Sequence, residues 1–389
     1  MKVSVGLMID LGNSETRYGL IINNDYKTNI LSNSWANVGE DYEIPDEYDN
    51  AQSTILVHTN DKGKKINYAH GKIVAREYRM SAERPNAQSK KLEQIANKLS
   101  LQMLFYSALK DIERETNVGI DNIDVTFKVA LLLPPEEQQR DGKAAKEMLL
   151  NMSSVEIAHP VKATYKFKVE SVKIVPEGLA AFFAVCFKEA MVLNKKTGKE
   201  ELGLVDREEN EQFLTGQNLI IDIGAGTTDF IRIEDSELIA SSRATYQKGG
   251  NTVEAYLKRT IKTQFGLTNP DMSRVVTEGI LTQGLEQKDV TDLVKKAKMD
   301  YAKNLKQDII DYIETQNTDI KNIKGILLTG GGSMPTVDSN GVVKVPAMSD
   351  MLITYIKTVA PQLRTINTVG LNPRFMNLEG LKVLYKYMT

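Results

Sequence analysis

The sequence predicts an α/β protein built from two related lobes. Three observations lead there: the chain length, an internal repeat of an apolar strand that ends in Asp and turns on Gly, and an alternation of strand-like and helix-like stretches elsewhere. The 389 residues give room for about two to three units of roughly 150 residues and for more than one sizeable core. The repeat pairs Val5–Ile22 with Asn218–Ile233, so that Ile9-Asp10-Leu11-Gly12 meets Ile221-Asp222-Ile223-Gly224. Each copy reads as an apolar strand, a short polar turn and a second β-rich run, which is a hairpin. Two copies 212 positions apart (222 minus 10) imply two homologous lobes facing each other.

The remaining elements follow in chain order. Residues 91–114 are charged but carry Leu92, Ile95, Leu99, Met103 and Leu104 at helical spacing, so one helix is expected. Val125–Leu133 is a buried strand stopped by Pro134-Pro135, and Val172–Val175 is a strand stopped by Pro176. The chain turns helical from Gly178, and the polar, charged span 194–218 reads as a solvated connector into the second hairpin. A long helix covers about 289–315, and Ile326–Thr329 is a strand running into Gly330-Gly331-Gly332. Ser339-Asn340-Gly341 is a turn between short strands, and the last residues, Leu381–Thr389, form a final helix over the first lobe.

Composition removes several classes. Lys and Arg total 49 against 51 Asp and Glu, a net charge of -2, without the basic excess of a surface devoted to nucleic acid. With 41% hydrophobic residues the chain is not natively disordered. The single cysteine, Cys186, lies in the apolar run Leu179–Cys186; no internal disulfide or cysteine zinc cluster can form, and a buried thiol is expected. His58, His70 and His159 are far apart in the chain and outside any H-E-x-x-H frame. The apolar N-terminal run before Asp10 is too short for a signal peptide, and no stretch approaches about 20 uninterrupted apolar residues, so a cytoplasmic protein without a membrane span is expected. The lysine-rich stretch Lys295–Lys306 and the basic stretch Arg76–Lys91 read as solvated faces rather than DNA patches, and direct sequence-specific nucleic-acid binding is not expected.

The two turns carry the chemistry. A phosphate needs many hydrogen-bond donors at close range; glycine lets the backbone approach, and successive N–H groups make an anion-binding nest. Gly12-Asn13-Ser14-Glu15-Thr16 and Gly224-Ala225-Gly226-Thr227-Thr228 each supply backbone donors and hydroxyls. Arg17, just past the first turn, can meet phosphate oxygens. Asp10 and Asp222, at the two strand ends, suit a magnesium ion held largely through water. Glu177, after Pro176 at a strand end, is a surface or helix-start acid or, in a nucleotide cleft, a group that polarises water. The glycines 330–332 form a flexible turn or a loop against which a base or ribose can lie, with Met334 on the ring. Asp229 stands where a dinucleotide fingerprint has its third glycine, and no G-x-x-x-x-G-K-[ST] occurs, which excludes a P-loop.

In order and rough spacing these residues resemble the actin-like ATPase superfamily, which includes actin, the Hsp70 ATPase domain and some sugar kinases. Asp10–Arg17 is similar to its first phosphate loop, Val175–Ala181 to its first connecting helix with the catalytic acid, and Ile221–Asp229 to its second phosphate loop. Leu328–Met334 is similar to its adenosine loop, and Lys248–Asn251 to a glycine pair that precedes a helix of the second lobe. Pro176-Glu177 and the tail Asn372–Gly380, a P-x-F-A-N-x-x-G segment with Met376 in place of alanine, bring the chain closest to the ParM-like plasmid-segregating bacterial actins. Arg17 stands where many relatives have lysine.

The resemblance implies an actin-like, ribonuclease H-like duplicated two-lobe fold with nucleotide in the interlobe cleft. Lobe I would be 1–172 plus 360–389, with a small subdomain at about 33–75; lobe II would be 173–359, with a small subdomain at about 246–310. It implies ATP (or GTP) with Mg²⁺, held by Gly12, Asn13, Ser14, Arg17, Gly224, Gly226, Thr227, Thr228, Gly249, Gly250, Gly330, Gly331, Gly332, Ser333 and Met334. Asp10 and Asp222 would orient the metal, and Glu177 with Asp222 would be catalytic. It further implies self-assembly into filaments whose hydrolysis drives plasmid segregation through a DNA-binding, ParR-like adaptor. A sugar or acid kinase on the same fold, a chaperone-like switch and a cell-division switch remain alternatives.

Overall fold

The computed structural model describes residues 1–12, 15–39, 42, 53–60, 62–71, 73–74, 77–78, 81–83, 90–193, 198–316, 318–368 and 375–387, apart from the side chains of residues 333 and 387. They fall into two compact units, Met1–Pro176 and Glu177–Met388.

In the first unit the strands and helices run in the order β1 (Lys2–Leu11), β2 (Glu15–Ile22), β3 (Asp25–Ser32), β4 (Trp35–Asn37), β5 (Ser53–Thr59), β6 (Lys65–Gly71), α1 (Lys91–Asn97), α2 (Leu99–Thr116), β7 (Asp124–Leu133), α3 (Pro135–Leu150), β8 (Ser154–His159), β9 (Ala163–Lys166) and β10 (Lys168–Pro176). The main sheet has the order β10-β7-β1-β2-β3. β1 runs parallel to β7 and antiparallel to β2, with Asp10 opposite Arg17 and Leu11 opposite Thr16. β1 is buried on both faces from Val5 to Leu11, as a strand covered on both sides must be. One cover is α2, whose Phe105 stacks on Phe167 at 4.6 Å and meets Phe127 edge-on at 5.2 Å. The helix expected over 91–114 is two helices, because Lys98 takes a left-handed φ of 65° between α1 and α2. The second sheet, β4-β6-β5-β8-β9, encloses a small core of Ala36, Ile55, Ala69, Ile73 and Val74. Its strands bring His58, His70 and His159, distant in sequence, into one sheet.

The second unit continues with α4 (Leu179–Cys186), β11 (Phe187–Leu193), β12 (Glu200–Asp206), β13 (Gln217–Ile223), β14 (Thr228–Glu234), β15 (Glu237–Leu238), β16 (Ala244–Tyr246), α5 (Gly250–Phe265), α6 (Met272–Glu278), β17 (Ile280–Gln283), β18 (Glu286–Asp289), α7 (Thr291–Thr315), β19 (Ile323–Thr329), β20 (Thr336–Val337), β21 (Val343–Val345), α8 (Met348–Lys357), β22 (Arg364–Asn367) and α9 (Met376–Tyr387). Its main sheet has the order β15-β14-β13-β19-β22, with β16 also on β14. β13 pairs antiparallel with β14 and parallel with β19, and β19 parallel with β22. Strand for strand this repeats β3-β2-β1-β7-β10, so the repeated motif is the visible part of a duplicated sheet.

Three further sequence-based expectations change. The span 194–218 is more than a connector: β12 pairs in register with β11, from Phe187 opposite Asp206 to Leu193 opposite Glu200. The lysine-rich stretch is not uniformly solvated, because Lys298 is 1% exposed on the inner stripe of α7 with Val294, Tyr301 and Leu305. The C-terminal helix, expected over the first lobe, packs its Gly380 against Ala180 of α4, where a Cβ at 380 would come 1.6 Å from the Ala180 carbonyl oxygen. Cys186 is buried and its thiol is pushed up to about 12 by that burial, so it is inert. Among the described residues no helix is long and apolar enough to cross a membrane.

Candidate functional site

In the first unit, β1 delivers Asp10, 7% exposed, to the edge of the turn. The turn closes on a hydrogen bond from Gly12 N to the Glu15 carbonyl at 2.9 Å. A Cβ at position 12 would meet that oxygen at 2.4 Å, so this turn needs glycine. Behind it, Asn33 Nδ2 donates to the Gly12 carbonyl at 2.7 Å, and Ser100 Oγ donates to Asn33 Oδ1. Arg17 lies between two carboxylates, with Nη1 3.2 Å from Asp10 Oδ2 and Nη2 3.4 Å from Glu15 Oε2. Burial alone would lower the guanidinium pKa; Asp10 and Glu15 outweigh it and hold the group charged. Asn13 and Ser14 lie outside the described residues.

In the second unit the same construction recurs. β13 delivers Asp222, 4% exposed, and Gly224 N donates to the Thr227 carbonyl at 2.9 Å. Here two further glycine segments converge on the turn. Gly250 N donates to the Gly224 carbonyl at 3.0 Å and Asn251 N to the Ala225 carbonyl at 2.7 Å, so the first N–H groups of α5 are satisfied by the turn. These bonds fix two peptide planes. No cis peptide occurs at the turn, and a trans peptide sends C=O and N–H to opposite sides. The N–H groups of Ala225 and Gly226 therefore both point away from α5, as a pair of donors for an anion.

The glycine loop after β19 packs against the same turn. A Cβ at Gly332 would sit 2.1 Å from the Gly224 carbonyl oxygen, and one at Gly249 would sit 2.6 Å from it. Gly330 has a φ of 98°, and a Cβ there would meet an Asp222 carboxylate oxygen at 2.3 Å. Of the residues named from sequence, Asp222, Gly224, Gly249, Gly250, Gly330 and Gly332 are thus brought together, with Gly226, Thr227 and Gly331 in the same segments. Thr228 has another place: its side chain is fully buried, and Oγ1 donates to the Lys248 carbonyl at 2.7 Å beside the Tyr301 hydroxyl at 2.9 Å. It supports the turn from behind. Met334 is half-buried, and its carbonyl accepts from Lys298 Nζ at 3.0 Å; the same ammonium donates to Thr336 Oγ1 at 2.8 Å. Burial lowers the Lys298 pKa to about 8.

Glu177 follows β10 and is half-buried. It precedes Gly178, whose φ of 78° turns the chain into α4. Two residues escaped sequence reasoning. Asn377 Nδ2 donates to Asp222 Oδ2 at 2.8 Å, and Lys298 anchors the glycine loop. For Asn377 the signal was its place in the quoted tail segment; for Lys298 it was the spacing 294, 298, 301, 305 along an apolar stripe. Asp10 and Asp222 are buried carboxylates at equivalent strand ends, and among the described residues no three His, Cys, Asp or Glu side chains converge. Each by itself is a single oxygen donor group, of the kind that meets a magnesium ion through its waters.

Residues 220–339 match the family described as archaeal actin homologue MreB-like, C-terminal. No curated protein matches the chain. Among solved structures, the archaeal actin homologue Ta0583 is similar at 18% identity, a TM-score of 0.64 and 99% coverage of each chain. Bacillus thuringiensis ParM with ATP is similar at 14% identity and a TM-score of 0.61, over 98% of this chain and 97% of that one. The protomer of a 15-stranded ParM filament from Clostridium botulinum is similar at 15% identity and a TM-score of 0.63, over 99% of each chain. The chain has the duplicated two-lobe fold of the actin homologues.

Proposed function

We propose that this protein is an actin-like ATPase that assembles into filaments with nucleotide bound and disassembles after hydrolysis. The observation that carries the reading is the duplicated turn: the same Gly N–H to carbonyl closure at 2.9 Å after a buried Asp in both units, with the Ala225 and Gly226 donors held outward by α5. The glycine-only approaches at 249, 330 and 332 support it, because they keep the floor of the turn clear of side chains. The solved ParM with ATP and the ParM filament are similar to this chain over nearly its whole length.

In this reading Gly12, Asn13, Ser14 and Arg17 of the first turn take phosphates, and so do Gly224, Gly226 and Thr227 of the second turn, with Thr228 holding that turn in shape. Arg17 releases Glu15 when a phosphate oxygen competes for its fork. Gly330–Met334 receives the nucleoside. Asp10 and Asp222 would each orient waters of a magnesium ion, which would supply charge neutralisation at the phosphates. Glu177 accepts a hydrogen bond from the attacking water and aligns it for in-line displacement; catalysis of this kind is mostly positioning and charge stabilisation. ATP is the nucleotide proposed, with GTP as the tested competitor. The finer role is plasmid segregation, with a DNA-binding, ParR-like adaptor linking the filament end to DNA.

The test is light scattering with ATP, GTP, ADP and a non-hydrolysable analogue, followed by negative-stain imaging. Polymer with triphosphate that persists with the analogue and decays as ATP is consumed is the expected result. Hydrolysis without polymer under every condition overturns the filament reading, and hydrolysis that needs a sugar or small acid replaces it with a kinase.

A further inference from the structure

We infer that Asn377 is a positioning residue of the hydrolysis site, holding the Asp222 carboxylate and the backbone that carries Glu177 in one fixed arrangement. The inference rests on the ATPase reading above. Asn377 lies in the first turn of α9 and is 8% exposed. Its Nδ2 donates to Asp222 Oδ2 at 2.8 Å, and its Oδ1 accepts from Gly178 N, the residue after Glu177, at 3.3 Å.

The chemistry of the two partners fixes what can stand at this position. An ionised carboxylate only accepts and a backbone N–H only donates, so the bridging group must carry both a donor and an acceptor. A primary amide does this without adding charge. An aspartate at 377 would keep the Gly178 contact but set two carboxylates against each other, and an apolar residue would lose both contacts. The amide also sits on a rigid support. The contact between Gly380 and Ala180 brings the backbones of α9 and α4 together. Lys382 and Lys386 of α9 both pair with Glu189 of β11, at 2.7 and 2.9 Å. α4 begins directly after Gly178. Asn377 is therefore the point where the end of β13, the start of α4 and α9 are tied together. A displacement of about 1 Å in such a site costs on the order of a hundredfold in rate.

The test compares wild type with N377D and N377L. Steady-state phosphate release gives kcat and KM, calorimetry gives nucleotide affinity at varied Mg²⁺, and thermal unfolding gives Tm. N377D is expected to lower kcat by about thirtyfold or more while nucleotide affinity at saturating Mg²⁺ changes by less than about threefold, and to shift the Mg²⁺ dependence of binding to higher concentration. N377L should lower kcat similarly. The exchanged double variant, D222N with N377D, rebuilds a donor–acceptor pair and covers the case in which N377D fails to fold. It is expected to recover Tm; because it also removes the Asp222 carboxylate, only its Tm is read. A wild-type kcat in N377D or N377L, or a double variant whose Tm stays at that of N377D, overturns the inference. Absence of ATP binding and hydrolysis in the wild type would instead remove the ATPase reading beneath it.

Discussion

At the scale of single residues, most of the candidate site is a problem of space. Gly332 has no room for a methyl group, since its Cβ would lie 2.1 Å from the Gly224 carbonyl oxygen, and that oxygen is backbone held by Gly250 N. Gly332→Ala must move one of two packed loops, at a cost of about 1–3 kcal/mol. We expect nucleotide affinity at least about tenfold weaker, read by titration with a fluorescent nucleotide; unchanged affinity would place the nucleotide away from this loop. Glu177 is a matter of chemistry instead. Removing a group that directs proton transfer costs about 10²- to 10⁴-fold, so Glu177→Ala should bind ATP and assemble while phosphate release nearly stops and filaments persist. Release at the wild-type rate would refute its role. The positions of the glycines around the second turn were legible in the sequence because a tight turn after an apolar strand demands that residue type; Glu177 was singled out by its place at a strand end. Asn377 was quoted in a motif, but its partners, Asp222 and Gly178, are 155 and 199 positions away, and only folding brings them to it.

At the scale of elements, α7 connects packing to the site. Lys298 would be an ordinary surface lysine by type, yet its position on the stripe of Val294, Tyr301 and Leu305 buries it, and it ties the glycine loop through the Met334 carbonyl. Its pKa falls from 10.5 to about 8 because burial disfavours the charge. Between those values the unfolded chain binds more protons than the folded one, so this lysine makes stability rise with pH from about 8 to 10.5 and contributes no slope below about 8. Chemical denaturation across that range should show the rise in wild type and its loss in Lys298→Met. An identical pH dependence in both would mean Lys298 is not desolvated. The sequence placed most elements correctly where periodicity and Pro or Gly stops agreed, as for β7, β10, β19 and the repeated hairpins. It missed the break at Lys98, since nothing about lysine announces a left-handed φ. It missed β12 because a half-exposed hairpin strand carries almost as many charges as a loop.

At the scale of the whole molecule, near neutrality has a consequence. With 49 basic and 51 acidic residues, repulsion between copies is weak and contacts can pair both signs. Assembly driven by such pairs is screened by salt: the Debye length falls from about 10 Å at 0.1 M to about 3 Å at 1 M. The critical concentration for polymer should therefore rise several-fold between about 0.05 and 0.5 M KCl, measured by pelleting with the non-hydrolysable analogue. A flat or falling value would point to an apolar filament contact.

The sequence by itself determined the duplication, the two Asp-to-Gly turns and the glycines that surround them, because a hairpin with a tight turn is a local object whose residue types are dictated by backbone geometry. The tertiary structure alone decided which of those residues meet. It set Thr228 behind its turn, turned the Ala225 and Gly226 donors outward through α5, and brought a C-terminal amide to the Asp222 carboxylate. Those are contacts across long separations, and they depend on how strands and helices pack rather than on any local preference of the chain.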